Sequence, residues 1–290
     1  MSTESNQTAE CPLCGQRGAR ERQRETVWAQ IRGGRSIVSC LSCGFLFVWP
    51  TASHRDLVQY YAESYAKDIE LAGVDYVGGR DKVSEHLVMR LEAVEDALGK
   101  KGRMLDVGAG SGAFVRFCAD RGWEAEALDL SRRAIAFAKS QHGIDLREAD
   151  LRDVGYPTGS FDFVHLSHVL EHVAEPTQLV GEVARVVKSN GLIIVEVPNE
   201  FRDLVFAARR LSFSIPRSPV PSSHLYFFTP KTLRMILTIN GLEVVTLRTP
   251  RRTDVSAPLS KRLLSSLVGL VEHLTNRGPN IVATARSSQS

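Results

Sequence analysis

With 290 residues and a mass of 32.0 kDa, the chain has room for about two domains of roughly 150 residues, or for one large α/β domain with an appendage. Hydrophobic residues at 43% and charged residues at 24% exclude wholesale disorder, and 36 Lys+Arg against 33 Asp+Glu leave none of the basic excess that marks nucleic-acid binders. The longest apolar runs, such as 191–195, fall far short of the roughly 18 residues needed to span a bilayer, and residues 1–10 lack the apolar stretch of a secretory leader. The cytoplasm is therefore the expected compartment, and a membrane partner is not expected.

In chain order, residues 1–50 form the first expected unit and hold four of the five cysteines. Cys11-Pro-Leu-Cys14-Gly15 and Cys40-Leu-Ser-Cys43-Gly44 are Cys-x-x-Cys pairs with trailing glycines, separated by 25 residues. In a reducing compartment such pairs point to metal before disulfides. Four soft thiolates suit tetrahedral Zn²⁺ in a closed, structural site, so Cys11, Cys14, Cys40 and Cys43 are the expected ligands of a zinc-ribbon-like domain. A metal-free redox pair is the alternative chemistry. The fifth cysteine, Cys118, reads as a small buried hydrophobe.

Residues 51–82, with Tyr60, Tyr61, Tyr65 and Tyr76, read as a linker containing a short helix. Val83, Leu87, Leu91, Val94 and Leu98 then recur at helical spacing up to Gly99. After Gly102 strands alternate with helices: strand 103–107, helix 113–121, strand 125–129, helix 132–141 capped by Ser131, strand 161–166, helix 176–188 and strand 192–197. This alternation predicts a mainly parallel sheet covered by helices on both faces. Residues 200–228, carrying Pro216, Pro219 and Pro221, interrupt it as an expected substrate lid. Thr229 as cap and Pro230 at the first helical position restart a helix. Strands at 242–248 and 280–285 complete the sheet, with an apolar helix around 263–274 between them.

The sharpest local signal is Leu105-Asp106-Val107-Gly108-Ala109-Gly110-Ser111-Gly112, placed between a strand and a helix. Glycines there allow a sharp turn and close approach of backbone to a ligand, beside unpaired amides of the helix start. Asp129 ends the next strand, where a carboxylate can accept hydrogen bonds from both ribose hydroxyls of a nucleoside. Asp150-Leu151 follows the third strand, placed to meet an adenine. The alternating glycines 108, 110 and 112 do not fit the Gly-x-Gly-x-x-Gly of dinucleotide-binding dehydrogenases.

On these residues, with Phe161-Asp-Phe-Val164, His168-Val-Leu-Glu-His172, Glu182 to Gly191 and Glu196-Val-Pro-Asn199, the chain resembles the class I S-adenosylmethionine-dependent methyltransferases over most of residues 83–248. The resemblance implies an α/β, Rossmann-like fold with a seven-stranded, mostly parallel sheet whose last strand is antiparallel, in a domain of residues 83–290. It implies S-adenosylmethionine held by Asp106, Gly108, Ala109, Gly110, Gly112, Asp129, Leu130, Asp150, Leu151, Ser167 and His168. The order of zinc ribbon, Tyr-rich linker and catalytic domain is similar to bacterial methyltransferases acting on sugars and other small metabolites. The implied acceptor is a small molecule, a sugar or a nucleotide-linked compound, methylated on oxygen or carbon. RNA methylation and non-catalytic cofactor binding are the alternatives, and the missing basic excess argues against RNA.

Methyl transfer needs donor and acceptor held in line and, where required, a base for the acceptor's proton. His224 in Ser222-Ser-His224-Leu-Tyr226 is the first expected base, because a His-Leu-x-x-Phe arrangement resembles that near the acceptor site of sugar C-methyltransferases. Tyr226 would position the acceptor. His172 is the third catalytic candidate. His168 and His172 lie four residues apart, a spacing that permits metal ligation, but no third ligand is evident at suitable spacing, and pocket wall or helix cap is the plainer reading. Asn199 is expected on the acceptor side and His165 in the core. Arg20, Arg22 and Arg24, Arg209-Arg210 and Arg251-Arg252 would grip phosphate or form solvated faces.

Overall fold

The computed structural model describes residues 5–24, 36–63, 83–199, 224–250 and 278–288. Among them no helix is long and apolar enough to cross a membrane. The helix expected at 263–274, Arg209-Arg210, Arg251-Arg252 and most of the expected lid, 200–223, lie outside the described residues.

The N-terminal strands β1 (Ser5–Glu10), β2 (Arg17–Arg24), β3 (Ser36–Cys40) and β4 (Leu46–Trp49) pair antiparallel in sequence order. Each Cys-x-x-Cys-Gly segment forms the turn between two of them. Gly15 N donates to Cys11 O at 2.8 Å and Gly44 N to Cys40 O at 3.1 Å. At φ 68° and 79° these glycines occupy the left-handed region, which a side chain would disfavour. A fifth strand arrives from far along the chain: β10 (Tyr226–Phe227) pairs antiparallel with β4. The segment expected as part of an irregular lid thus ends as a strand of the cysteine-bearing sheet.

The large sheet holds β5 (Arg103–Val107), β6 (Glu124–Asp129), β7 (Arg147–Glu148), β8 (Phe161–Ser167), β9 (Val187–Pro198), β11 (Leu242–Arg248) and β12 (Asn280–Ser287) in the order β11-β12-β9-β8-β5-β6-β7. Pairs within β9 to β7 are parallel, and β12 runs antiparallel to both neighbours. This is the seven-stranded, mostly parallel sheet with an antiparallel last strand. Residues 161–166 of β8 are buried without alternation because both faces of a parallel sheet are covered. The strand order reverses between β5 and β8, so a crevice opens outside their carboxyl ends.

Helices α1 (His54–Glu63), α2 (Glu85–Leu98), α3 (Ala113–Asp120), α4 (Arg132–Phe137), α5 (Leu151–Val154), α6 (Pro176–Val186) and α7 (Pro230–Ile239) complete the described elements. Ser131 Oγ accepts from Ala134 N, and Thr229 with Thr232 forms a capping box behind Pro230. The helix expected over 132–141 changes to a π turn at Ala138–His142 and ends on left-handed Gly143. His165 and Cys118 are buried, as packed core residues.

One hydrophobic core joins the two sheets: Cys40, Phe45 and Phe47 share it with Leu225, Tyr226, Phe227, Phe228 and with Leu179 and Val183 of α6. Phe45 stacks on Tyr226 at 5.8 Å between centroids and meets Phe228 at 5.2 Å. Each such fully buried ring contributes about 1.5–3 kcal/mol. Thr177 Oγ1 donates to Pro12 O at 2.8 Å across the same junction. The cysteine-bearing sheet is therefore packed onto α6 and the 225–228 segment.

Candidate functional site

A cleft of about 900 Å³, counting its open mouth, lies at the carboxyl ends of β5, β6 and β8. Gly108, Gly110, Asp129, Leu130, Asp150, Leu151, Ser167 and His168 line it. Asp106, Ala109 and Gly112 are not among its lining residues. Asp106 Oδ1 is 2.7 Å from His165 Nδ1, which fixes the base of the loop from inside the sheet. A Cβ on Gly112 would come within 2.8 Å of Ala138 Cβ, so that glycine serves the packing of α3.

The loop after β5 is held open. Gly108 N and Ala109 N donate to Leu128 O at 2.8 and 3.0 Å, tying the loop to β6. A Cβ on Gly108 would meet Val169 Cγ2 at 2.6 Å, whereas one on Gly110 would meet nothing within 4 Å. Asp129 secures the other side: its two oxygens accept from Gly110 N and Ser131 N, both at 2.8 Å. Burial pushes its carboxyl above the ordinary range, against the pull of these amides. A carboxylate at this place can accept from further donors, which fits a ribose diol.

Asp150 caps α5 and is clamped by Arg152, with Nε–Oδ1 at 2.8 Å and Nη2–Oδ2 at 2.7 Å. Burial works against the Asp150 charge, but Arg152 outweighs it and holds the carboxyl below its usual value. Arg152 Nη2 is also 2.9 Å from His54 Nδ1. His54, Leu57, Val58 and Tyr61, all on α1, form a wall of the cleft, a role beyond that of the linker expected over 51–82. The His-x-x-Leu-Val-x-x-Tyr spacing along one helical face was the signal available for it.

At the far end stand His168, Glu171, His172 and His224. His168 has φ 57°, rare for a residue with a side chain, and its N donates to Glu196 O at 2.9 Å. Its Nδ1 lies 3.1 Å from Glu171 Oε1. Glu171 is 0% exposed, and its Oε2 has no hydrogen-bond partner. Burial opposes its charge, yet the His168 hydrogen bond and the nearby His172 ring bring its carboxyl down to about 2. His172 lines the cleft, with Nδ1 2.8 Å from Tyr61 Oη and Nε2 3.9 Å from Glu171 Oε1. His224 meets the His172 ring edge-on at 4.7 Å and is not among the cleft-lining residues. It is held by its neighbour: Leu225 N donates to Glu171 O at 2.7 Å, and Val48 N to Leu225 O at 2.9 Å.

Tyr226 departs from its expected catalytic place. It is fully buried against Phe45, outside the cleft lining, and its hydroxyl donates to Ala174 O at 2.5 Å. Both residues of β10 and their neighbours Leu225 and Phe228 are buried in the core that joins the sheets. Tyr226→Phe is expected to leave turnover within about twofold and to cost about 1 kcal/mol of stability, checked by steady-state kinetics and thermal melts. Asn199 is likewise engaged in structure: it is buried, with N donating to Pro279 O at 2.7 Å and Nδ2 to Gly278 O at 2.8 Å. Arg20 is exposed on β2.

In the small sheet, Cys11 Sγ–Cys43 Sγ and Cys14 Sγ–Cys40 Sγ are each 3.7 Å, and all four sulfurs lie within 4.8 Å of one another. All are free thiols. Zn–S bonds of about 2.3 Å give a tetrahedron with edges of roughly 3.8 Å, so the four sulfurs fit such an ion. Burial pushes the Cys43 thiol up to about 11, so without a cation this thiol stays protonated.

The model of a methyltransferase domain matches residues 76–247, more than half of the chain. The chain belongs to this methyltransferase family. It is 35% identical over 133 residues to the biotin biosynthesis bifunctional protein BioHC of Cellvibrio japonicus, covering 45% of this chain and 25% of that protein. It is 32% identical over 141 residues to the ubiquinone biosynthesis O-methyltransferase of Xanthomonas oryzae pv. oryzae, covering 44% and 59%. The chain thus spans about a quarter and about three fifths of these two relatives. A SAM dependent methyltransferase from Archaeoglobus fulgidus shares the fold with a TM-score of 0.52 at 19% identity, over 78% of this chain and 100% of that one. The methyltransferase fold here is class I, with its large sheet as described above.

Proposed function

We propose that this methyltransferase moves a methyl group from S-adenosylmethionine to an oxygen or carbon nucleophile of a small molecule, such as a sugar or other metabolite. We further propose a division into a structural zinc ribbon (1–50), a connector whose helix walls the cleft (51–82) and a catalytic domain (83–290). The observation that carries the reading is the cleft itself: a ribose-type carboxylate and an open glycine loop on one side, and on the other His168 and His172, backed by the buried Glu171 and by His224. The near-neutral composition and the small-molecule biosynthesis named for the two relatives support a small acceptor.

In this reading Asp129 receives the ribose hydroxyls, Leu130 and Leu151 flank the adenine, and Gly110 leaves room for close backbone approach. The donor supplies an electrophilic methyl on a sulfonium, which is displaced in line. The chain's own contribution is placement of the acceptor and removal of its proton. His172, steadied by Tyr61 and facing Glu171, reaches the cleft, with His224 behind it.

The test is transfer of labelled methyl from S-adenosylmethionine to a panel of sugars, sugar nucleotides and hydroxylated metabolites. Label is expected on at least one acceptor, with His172→Ala and His224→Ala each lowering turnover about 100-fold while calorimetric donor affinity stays unchanged. Absence of donor binding by the wild type would remove the reading, and full activity of both variants would remove the histidines from it.

A further inference from the structure

We propose that Glu171, His172 and His224 form a second metal site, distinct from the four cysteines, that binds a first-row divalent transition-metal ion at the acceptor end of the cleft. The carboxylate oxygen and one ring nitrogen from each histidine lie within 4.8 Å of one another. Metal–ligand bonds of about 2.1 Å place such atoms about 3.4 Å apart in a tetrahedral site, so closure needs side-chain rotation and not a shift of the fold.

The second observation is Glu171 itself. A fully buried carboxylate with one oxygen lacking any partner is a costly arrangement unless something cationic shares the space. His168 occupies Oε1 at 3.1 Å and so fixes the carboxylate, leaving Oε2 for a ligand. Tyr61 lies 2.8 Å from His172 Nδ1, which leaves Nε2 as the nitrogen nearer Glu171. An outer partner on one ring nitrogen and a cation on the other is the usual arrangement of a metal-bound histidine. Two imidazoles and one carboxylate suit Zn²⁺ or Fe²⁺ and form an open set, unlike the closed four-thiolate cluster. His172 lines the cleft, so the remaining positions of the ion would meet an acceptor oxygen. The third ligand comes from the segment that the cysteine-bearing sheet holds in place through Val48 and Leu225.

The inference rests on the methyl-transfer reading only for what it places beside the metal, because metal binding is measured without donor or acceptor. Full-length protein stripped of metal is titrated with Co²⁺ and followed by absorption. The wild type is expected to take up two equivalents. One gives the intense near-ultraviolet charge-transfer bands of thiolate ligation, and the other only weak visible bands of nitrogen and oxygen ligation. Glu171→Gln, which keeps the side chain's size, and His224→Ala are each expected to retain the thiolate bands and weaken the second equivalent at least about 100-fold. Tyr61→Phe should weaken it about tenfold. Calorimetric donor binding on the same samples shows that each variant is folded. A single equivalent in the wild type, or a second equivalent retained at full affinity in both ligand variants, overturns the site. Loss of methyl transfer with intact second-site cobalt binding would count against the catalytic reading alone.

Discussion

Replacing Asp129 with Ala is expected to weaken S-adenosylmethionine binding about 100-fold or more. Two effects add. The carboxylate is the acceptor proposed for the ribose hydroxyls, and hydrogen bonds to a charged group contribute about 1.5–3 kcal/mol each. The same oxygens accept from Gly110 N and Ser131 N, so alanine also strands two amides and frees the loop that Gly110 shapes. About 2.7 kcal/mol already corresponds to a hundredfold change in the dissociation constant. Asp129→Asn separates the contributions: it keeps one carbonyl acceptor for a backbone amide and should fall between wild type and alanine. Titration calorimetry reads both variants, and unchanged affinity in Asp129→Ala would dismiss this cleft as the donor site.

The second large effect is expected from Cys40→Ser combined with Cys43→Ser. Wild-type protein should contain about one zinc ion in the four-thiolate site by elemental analysis, and the double variant should lose it. Structural zinc contributes apparent free energies of about 10–16 kcal/mol to small ribbons, so the small sheet is not expected to persist without it. Its loss removes the partner of β10 and the Phe45–Tyr226 stack, and with them the support beneath His224. Turnover should therefore fall further than donor affinity, because Asp129 and the glycine loop belong to the other sheet. A well-folded wild type that never contains metal would dispose of the zinc ribbon.

The parts of this architecture visible in the sequence are those specified by neighbouring residues. Strand 242–248, the Ser131 cap, the Thr229-Pro230 helix start and the left-handed Gly99 stop follow from local pattern and backbone chemistry, and they stand where the sequence puts them. The glycine loop and Asp129 are likewise carried by a strand–turn–helix rhythm. What was illegible depends on distant partners. β10 is two residues long and exists only because β4 lies beside it. Helical spacing shows His168 and His172 as a pair and the His224-Leu-Tyr226 motif marks His224 separately, but nothing local says that His224 would come beside Glu171 and His172 from another part of the chain. Helix α1 was visible as a short helix, but nothing local said that His54 and Tyr61 would face the cleft. The position of Tyr226 depends on a distant partner in the same way: Phe45 stacks on it in the core, outside the cleft lining.

Two fixed posts flank residues 200–223 in the sequence. Asn199 is pinned to Gly278 and Pro279 on one side, and Leu225 is pinned to Glu171 and Val48 on the other. A change at either post is therefore expected to be felt in its own sheet: at Asn199 where β9 meets β12, and at Leu225 along β4 and beneath His224.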